Sequence, residues 1–211
     1  MRADWYFDFI SPFSYLQLHQ FHRLPETLEI RCRPVLLAGL LGHWGQKGPA
    51  EIPAKRRQTY RLCQWLADRR GVPLKLPSIH PFNPLKALRL AIALGEDQEV
   101  VEEIFRFIYE EGRDIRPEES WLELCERLGV DDADELIAQP ETKQALRANT
   151  EEAARRGVYG VPTFAIGDEL FWGDDLTDML LDYLGDPELF SRGEMARIST
   201  MPMGVERSEV S

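Results

Sequence analysis

The chain has 211 residues, of which 44% are hydrophobic and 29% are charged. This composition is typical of a soluble globular protein and excludes a disordered chain or a small disulfide-stapled scaffold. The length fits one large domain or one domain with an insertion. The formal charge of −11 argues against a nucleic-acid partner, because the phosphate backbone demands a basic surface.

The first forty residues predict the order strand, helix, strand. Residues 3–10 alternate between apolar and polar side chains, as a strand does. Ser11 and Pro12 follow as a helix cap and a proline at the first helical position. Residues 28–37 alternate again and predict a second strand, whereas the glycine-rich residues 39–50 predict a loop.

The middle of the chain, from residue 53 to about 156, is predicted to be overwhelmingly helical. Its segments end at glycines, the residue preferred just past a helix C-terminus. These glycines are Gly71, Gly95, Gly112, Gly129 and Gly157.

Strand character returns near the end of the chain. Thr163–Ile166 and Glu169–Trp172, separated by Gly167 and Asp168, predict a β-hairpin. A helix capped by Asp174 or Asp175 then runs to about Leu184, and we expect the tail from residue 186 to be an appended arm or partly loose. The elements therefore describe an α/β unit that is interrupted by a helical block.

The charges are unevenly distributed along the chain. Residues 96–141 are strongly acidic, whereas residues 47–75 carry eight Lys or Arg side chains against Glu51 and Asp68. The basic segment fits either a solvated helix face or a local field that favours small anionic ligands.

The cysteine count and the hydropathy pattern set the expected compartment. Cys32, Cys63 and Cys125 form neither a disulfide framework nor a zinc motif, and they are interpreted as small packed side chains. We predict no metal site. The N-terminal residues lack a cleavable leader pattern, and no uncharged stretch reaches the roughly 18 residues of a membrane helix. We therefore expect a cytoplasmic protein without a membrane partner.

Two short motifs stand where this layout would bring them together. Ser11-Pro12-Phe13-Ser14 lies at a strand-to-helix junction, where backbone N–H groups and the helix dipole favour negative charge. Val161-Pro162 immediately precedes the third strand, where a proline either starts an edge strand or forms a cis turn.

These motifs and the order of the elements resemble the thioredoxin superfamily with a helical insertion, as in its DsbA-like branch. Within that branch the chain is similar to 2-hydroxychromene-2-carboxylate isomerases and the related kappa-class glutathione transferases. The resemblance rests on four blocks, namely Phe7–Leu16, His80–Pro84, Tyr159–Phe164 and Phe171–Asp175. It implies a thioredoxin-like domain of residues 1–45 and 146–185, an inserted helical domain of residues 46–145 and a C-terminal tail of residues 186–211.

The resemblance also implies a cofactor. A disulfide oxidoreductase needs two cysteines in the first motif, and this chain has Ser11 and Ser14 there, which excludes dithiol chemistry at that site. In the family, glutathione supplies the thiol, so Ser11 would donate a hydrogen bond to its sulfur and lower its pKa. Taken alone, Ser11 could equally be a plain helix cap.

The remaining site residues are also implied by the resemblance. The backbone of Val161, held by a cis Pro162, would pair with the cysteinyl backbone of glutathione, and Trp172, Gly173, Asp174 and Asp175 would hold its glutamyl end. Either aspartate could instead be only a cap. Asn83 and Pro84 would contact a small anionic aromatic substrate, although Asn83 could simply form an Asx turn. Lys47 is a substrate-binding candidate for a different reason, because its positive charge in the glycine-rich loop could attract a carboxylate.

The resemblance predicts a glutathione-dependent isomerase that converts 2-hydroxychromene-2-carboxylate-type acids to trans-o-hydroxybenzylidenepyruvate by reversible thiolate addition. It also implies a homodimer. Two alternatives stay open: a kappa-like glutathione transferase or peroxidase that uses the same site, and a non-catalytic thioredoxin-fold adaptor.

Overall fold

A computed structural model describes residues 1–204 of the chain. Four strands form one mixed sheet in the order β2-β1-β3-β4. Strand β1 (Arg2–Phe7) pairs in parallel with β2 (Glu29–Pro34) and antiparallel with β3 (Thr163–Ile166), which continues into β4 (Glu169–Trp172) through a tight hairpin. The hairpin has the predicted bounds, with Gly167 at a positive φ of 57° in the turn.

Within residues 1–204, ten helices surround or extend the sheet. They are α1 (Pro12–Leu18), α2 (Leu37–His43), α3 (Pro53–Arg70), α4 (Leu85–Ala93), α5 (Gln98–Phe105), α6 (Glu118–Arg127), α7 (Ala133–Ala138), α8 (Pro140–Arg155), α9 (Thr177–Gly185) and α10 (Gly193–Ile198). A π-helical segment, Arg106–Glu110, extends α5, and short 3₁₀ turns span Phe21–Arg23, Pro49–Glu51 and Asp174–Leu176. Every helix within residues 1–204 is too short or too polar to cross a bilayer.

The alternation of β1 sends its side chains to the two faces of the sheet. Trp5 and Phe7 stack with ring centroids 4.6 Å apart on one face, where Phe9 packs against Phe105 of α5. Tyr6 packs on the other face with residues of α2 and α8. The cluster around Trp5 continues into the helical block, so the sheet and the inserted helices share one hydrophobic core.

Two sequence predictions differ from the structure. Residues 39–50 are not all loop, because α2 occupies 37–43, and β2 ends at Pro34 rather than at residue 37. The predicted domain boundary at residue 146 falls inside α8, which begins at Pro140. The division into domains remains a prediction.

The first residues of the predicted C-terminal tail pack against α9 and β4. Phe190 stacks on Tyr183 of α9 with ring centroids 5.3 Å apart and also contacts Phe171 of β4. Helix α10 follows, and the predicted tail beyond residue 204 lies outside the described residues.

Candidate functional site

Ser11 caps the first helix directly after β1. Its backbone is extended, and its Oγ accepts a hydrogen bond from the backbone N of Ser14 at 3.2 Å. Pro12 occupies the first helical position, as predicted. The first N–H groups of any helix lack intrahelical acceptors, so this terminus is suited to hold negative charge.

The Val161–Pro162 peptide bond is cis and lies opposite Ser11. The Ser11 Oγ is 3.5 Å from the carbonyl oxygen of Val161, the long end of a hydrogen bond. Among residues 1–204, the backbone of Val161 takes part in no backbone–backbone hydrogen bond, whereas the Pro162 carbonyl accepts one from Gly173 at 2.8 Å. One peptide edge beside Ser11 is thus left open.

A buried polar network joins α1 to the segment after β4. The side-chain amide of Gln17 accepts from the Trp5 indole N–H at 2.8 Å and donates to the Gly173 carbonyl at 2.9 Å. The amide of Gln20 donates to the Asp174 Oδ1 at 2.6 Å. Because these groups are buried, losing any partner would leave an unsatisfied polar atom, and the network fixes the two halves of the site against each other.

Two cavities meet at Phe13 and Val161. The Ser11 cavity, about 240 Å³, is bounded mainly by apolar side chains of α2, the 49–51 turn, α3 and the 80–84 loop, together with Ser11. The Trp172 cavity, about 290 Å³, is bounded by Leu62, Leu66 and residues 172–175. A wider open groove of about 630 Å³ lies between α2, α4 and α8 and contains none of the predicted site residues.

The two neighbouring aspartates have different surroundings. Asp174 is buried, and its Oδ1 lies 2.7 Å from a guanidinium nitrogen of Arg70, so it is committed to an internal ion pair. Asp175 is exposed and lines the Trp172 cavity. Its carboxylate lies so close to Gly173 that a Cβ there would be 2.5 Å from its Oδ1, and Gly173 itself has a φ of 99°.

The predicted substrate residues divide into two groups. Pro84 lines the Ser11 cavity, but Lys47 and Asn83 are exposed and lie outside its lining. The Asn83 Oδ1 accepts a hydrogen bond from the backbone N of Leu85 at 3.0 Å, which is the Asx turn that the sequence also allowed. The structure therefore does not bring Lys47 or Asn83 to the cavity.

None of the Lys or Arg residues of the basic segment lines either cavity. The side chains of Lys55, Arg56, Arg57 and Arg61 are on the exposed part of α3, which favours the solvated helix face. Arg70 is engaged with Asp174.

Among the polar residues that line the Ser11 cavity, Asp8, Tyr60 and His80 were not predicted as site residues. The Nδ1 of His80 lies 2.7 Å from the Tyr60 hydroxyl and its Nε2 lies 2.6 Å from the Ile10 carbonyl oxygen. Burial lowers the pKa of His80 and raises that of Tyr60, so both groups are neutral near pH 7. Only the tertiary fold joins residues 10, 60 and 80.

The three cysteines are buried and free. Burial raises the pKa of Cys32 and that of Cys63 to about 12 each, and it also raises the pKa of Cys125. None of them lines the Ser11 cavity. Their thiols are therefore protonated, so the chain presents no thiolate of its own in that cavity.

Comparisons with known proteins agree with this geometry. The DSBA-like thioredoxin domain family matches residues 2–185. A 2-hydroxychromene-2-carboxylate isomerase of Sphingobium xenophagum is 31% identical, with 87% of this chain and 97% of the relative covered. Glutathione S-transferase kappa 2 of Caenorhabditis elegans is 29% identical, with 88% and 92% covered.

A solved structure of a 2-hydroxychromene-2-carboxylate isomerase superposes with a TM-score of 0.76 at 27% identity, covering 88% of this chain and 95% of that chain. The thioredoxin-like fold with inserted helices is confirmed, and the relatives are enzymes. The chain belongs to the DsbA-like thioredoxin family, in the branch that contains the 2-hydroxychromene-2-carboxylate isomerases and the kappa-class glutathione transferases.

Proposed function

We propose that this protein is a glutathione-dependent isomerase of 2-hydroxychromene-2-carboxylate-type acids, with trans-o-hydroxybenzylidenepyruvate as the product. The observation that carries the proposal is the Ser11 hydroxyl, held at the start of α1 and 3.5 Å from the Val161 carbonyl, where two cavities meet. The names of the relatives support the choice of substrate class.

The residues present fit glutathione as a cofactor. The open backbone edge at Val161 would pair with a peptide backbone, as an added strand does. Asp175, exposed in the Trp172 cavity, would bind the glutamyl ammonium, whereas Asp174 is already paired with Arg70. The first N–H groups of the 174–176 turn would receive the glutamyl carboxylate, and Trp172 with Gly173 would form the adjoining wall.

Bound glutathione supplies a thiolate that adds reversibly to a conjugated double bond. Ser11 would donate a hydrogen bond from its hydroxyl to that sulfur, since its alternative acceptor, the Val161 carbonyl, lies at the long distance of 3.5 Å. A hydrogen bond to a charged acceptor is worth about 1.5–3 kcal/mol, which corresponds to about 1–2 pKa units of the thiol. The apolar Ser11 cavity would hold the aromatic ring of the substrate beside the sulfur.

The test compares Ser11→Ala with Ser14→Ala. Ser14 is fully buried one helical turn away and its Oγ has no hydrogen-bond partner among the described residues, so its variant removes a hydroxyl from the same helix without touching the sulfur site. Glutathione binding is measured by calorimetry, and the pKa of the bound thiol by its ultraviolet thiolate absorbance. We expect Ser11→Ala to raise that pKa by about 1–2 units and Ser14→Ala to leave it unchanged.

Absence of glutathione binding to the wild-type protein would refute the proposal and favour the adaptor alternative. The transferase alternative is tested by comparing turnover of the chromene acid with that of a chlorinated aromatic acceptor. A homodimeric state and a cytoplasmic location are further parts of the proposal, and sedimentation equilibrium tests the first.

A further inference from the structure

The Tyr60 hydroxyl and the His80 imidazole form a hydrogen-bonded pair at the wall of the Ser11 cavity. The Ile10 carbonyl, 2.6 Å from the His80 Nε2, can only accept a hydrogen bond. The proton of the neutral ring therefore resides on Nε2. This leaves the Nδ1 lone pair, 2.7 Å from the Tyr60 oxygen, as an acceptor for the tyrosine proton.

Two further groups contact the pair. The carbonyl oxygen of His80 lies 2.9 Å from the Tyr60 hydroxyl and is a second acceptor for its proton beside Nδ1, and the Tyr109 hydroxyl lies 3.4 Å from the His80 Nε2. Ile10, which orients the imidazole, immediately precedes Ser11 in the chain. The pair therefore borders the same cavity as Ser11, yet the proposed thiol chemistry makes no use of it.

We propose that Tyr60, hydrogen-bonded to His80, acts as the general acid–base catalyst that opens the hemiketal ring of the chromene acid before thiol addition. This inference rests on the proposed function, whose substrate carries a hydroxyl and the ring oxygen on one carbon. Tyr60 is the catalytic residue in this step, because its hydroxyl contacts the substrate. His80 acts through Tyr60 and is a positioning residue that also takes up the proton.

The protons and electrons of the step balance. The substrate hydroxyl gives its proton to the Tyr60 oxygen while Tyr60 passes its own proton to the His80 Nδ1. The electron pair of the broken O–H bond becomes the new carbonyl π bond, and the bond from carbon to the ring oxygen breaks with its pair on that oxygen. The imidazolium then returns the proton through Tyr60 to the released phenolate. The net result is a ketone and a phenol, with no oxidant or reductant.

A single hydroxyl suits this task because both oxygens of the hemiketal are bonded to the same carbon. One group can take a proton from the first oxygen and return it to the second without moving far. General acid–base catalysis of this kind contributes about 10²–10⁴-fold to a rate.

The test uses three single variants and the double variant of Tyr60→Phe with His80→Gln. Tyr60→Phe removes the hydroxyl and keeps the ring, whereas His80→Gln keeps an amide N–H for the Ile10 carbonyl and removes the proton acceptor. Tyr15→Phe is the control, because it also removes a phenol hydroxyl that donates to a backbone carbonyl, that of Pro73, and Tyr15 lies outside the cavity lining. Each variant is assayed with glutathione on the chromene acid and on cis-benzylidenepyruvate, which lacks the ortho hydroxyl and has no ring to open.

We expect Tyr60→Phe and His80→Gln each to lower kcat on the chromene acid at least tenfold, with KM within twofold. The double variant should lose little more than either single one, because the two residues act as a unit. Turnover of cis-benzylidenepyruvate should stay within twofold in all variants, and Tyr15→Phe should match the wild type on both substrates.

A measurement without glutathione tests the hydrogen bond between Tyr60 and His80 directly. The ¹⁵N NMR signals of His80 should show a protonated Nε2 and an unprotonated Nδ1 in the wild type, and Tyr60→Phe should shift the Nδ1 signal alone. A protonated Nδ1, or equal losses of Tyr60→Phe on both substrates, would overturn the ring-opening role, as would an unchanged kcat on the chromene acid. A wild-type protein without glutathione-dependent turnover of either acid overturns the proposed function and this inference together.

Discussion

Asp8 offers a test of how the fold stabilises the start of α2. The residue is almost completely buried, and its two carboxylate oxygens accept from the backbone N of Ile10 at 3.0 Å and of Leu37 at 2.8 Å. Burial raises the pKa of Asp8 from 3.8 to about 7, because the two hydrogen bonds offset only part of the lost hydration.

The sign of the pH dependence follows from that direction. Between pH 4 and pH 7 the folded protein holds a proton on Asp8 that the unfolded chain has released, so stability falls as the pH rises. The stabilisation is complete below pH 4 and is lost as the pH rises through about 7. At about 1.4 kcal/mol per pKa unit, the change amounts to about 4 kcal/mol.

Asp8→Asn removes this titration and keeps the shape of the side chain. An amide offers one oxygen for the two N–H donors, so the variant leaves one of them unsatisfied at a cost of about 1–3 kcal/mol. We expect the variant to be less stable than the wild type at pH 5 and to equal or exceed it at pH 8.5. Because titration of the other acidic groups is common to both proteins, the difference between them isolates Asp8.

The measurement is urea unfolding of both proteins at half-unit steps from pH 4.5 to pH 8.5, followed by far-ultraviolet circular dichroism. The reasoning is refuted if the difference in unfolding free energy is constant across this range, or if the wild type gains on the variant as the pH rises.

Two further outcomes follow from other buried groups. Burial raises the pKa of Cys32, Cys63 and Cys125. We therefore expect Ellman's reagent to label no cysteine of the native protein within minutes at pH 8, and all three cysteines in urea. Rapid labelling of the native protein would contradict the burial of these thiols. Arg70→Met leaves Gln20 as the only side-chain partner of the buried Asp174 carboxylate and should lower the free energy of unfolding by about 3–5 kcal/mol. Combining it with Asp174→Asn should recover most of that loss in the same unfolding assay. Additive losses would show that the two residues are not coupled.

The sequence alone predicted the helices and strands whose ends are marked by neighbouring residues in the chain. The turn at Gly167 predicted both hairpin strands to the residue, and glycines at positive φ ended the helices of the middle block. Ser11 and Pro12 predicted the start of α1 because a cap and an N-terminal proline act within one helical turn.

The start of α2 shows why other elements could not be predicted. The residue at its N-cap position is Leu36, which provides no side-chain cap, and the N–H of Leu37 is instead accepted by Asp8, 29 positions earlier in the chain. A glycine-rich segment looks like a loop when its cap comes from a different element. The same holds for the pairing of Tyr60 with His80 and for the engagement of Asp174 by Arg70.

The sequence therefore determined which chemistry is possible at the first motif, since serines in place of cysteines exclude dithiol exchange whatever the fold. The tertiary structure decided which polar groups share a cavity. In the fold, Asn83 forms a local Asx turn, Asp174 is buried while Asp175 is exposed, and Tyr60 and His80 line the same cavity as Ser11. Side-chain periodicity specifies which face of an element is buried, but the partner of a buried polar group is set by packing between segments far apart in the chain.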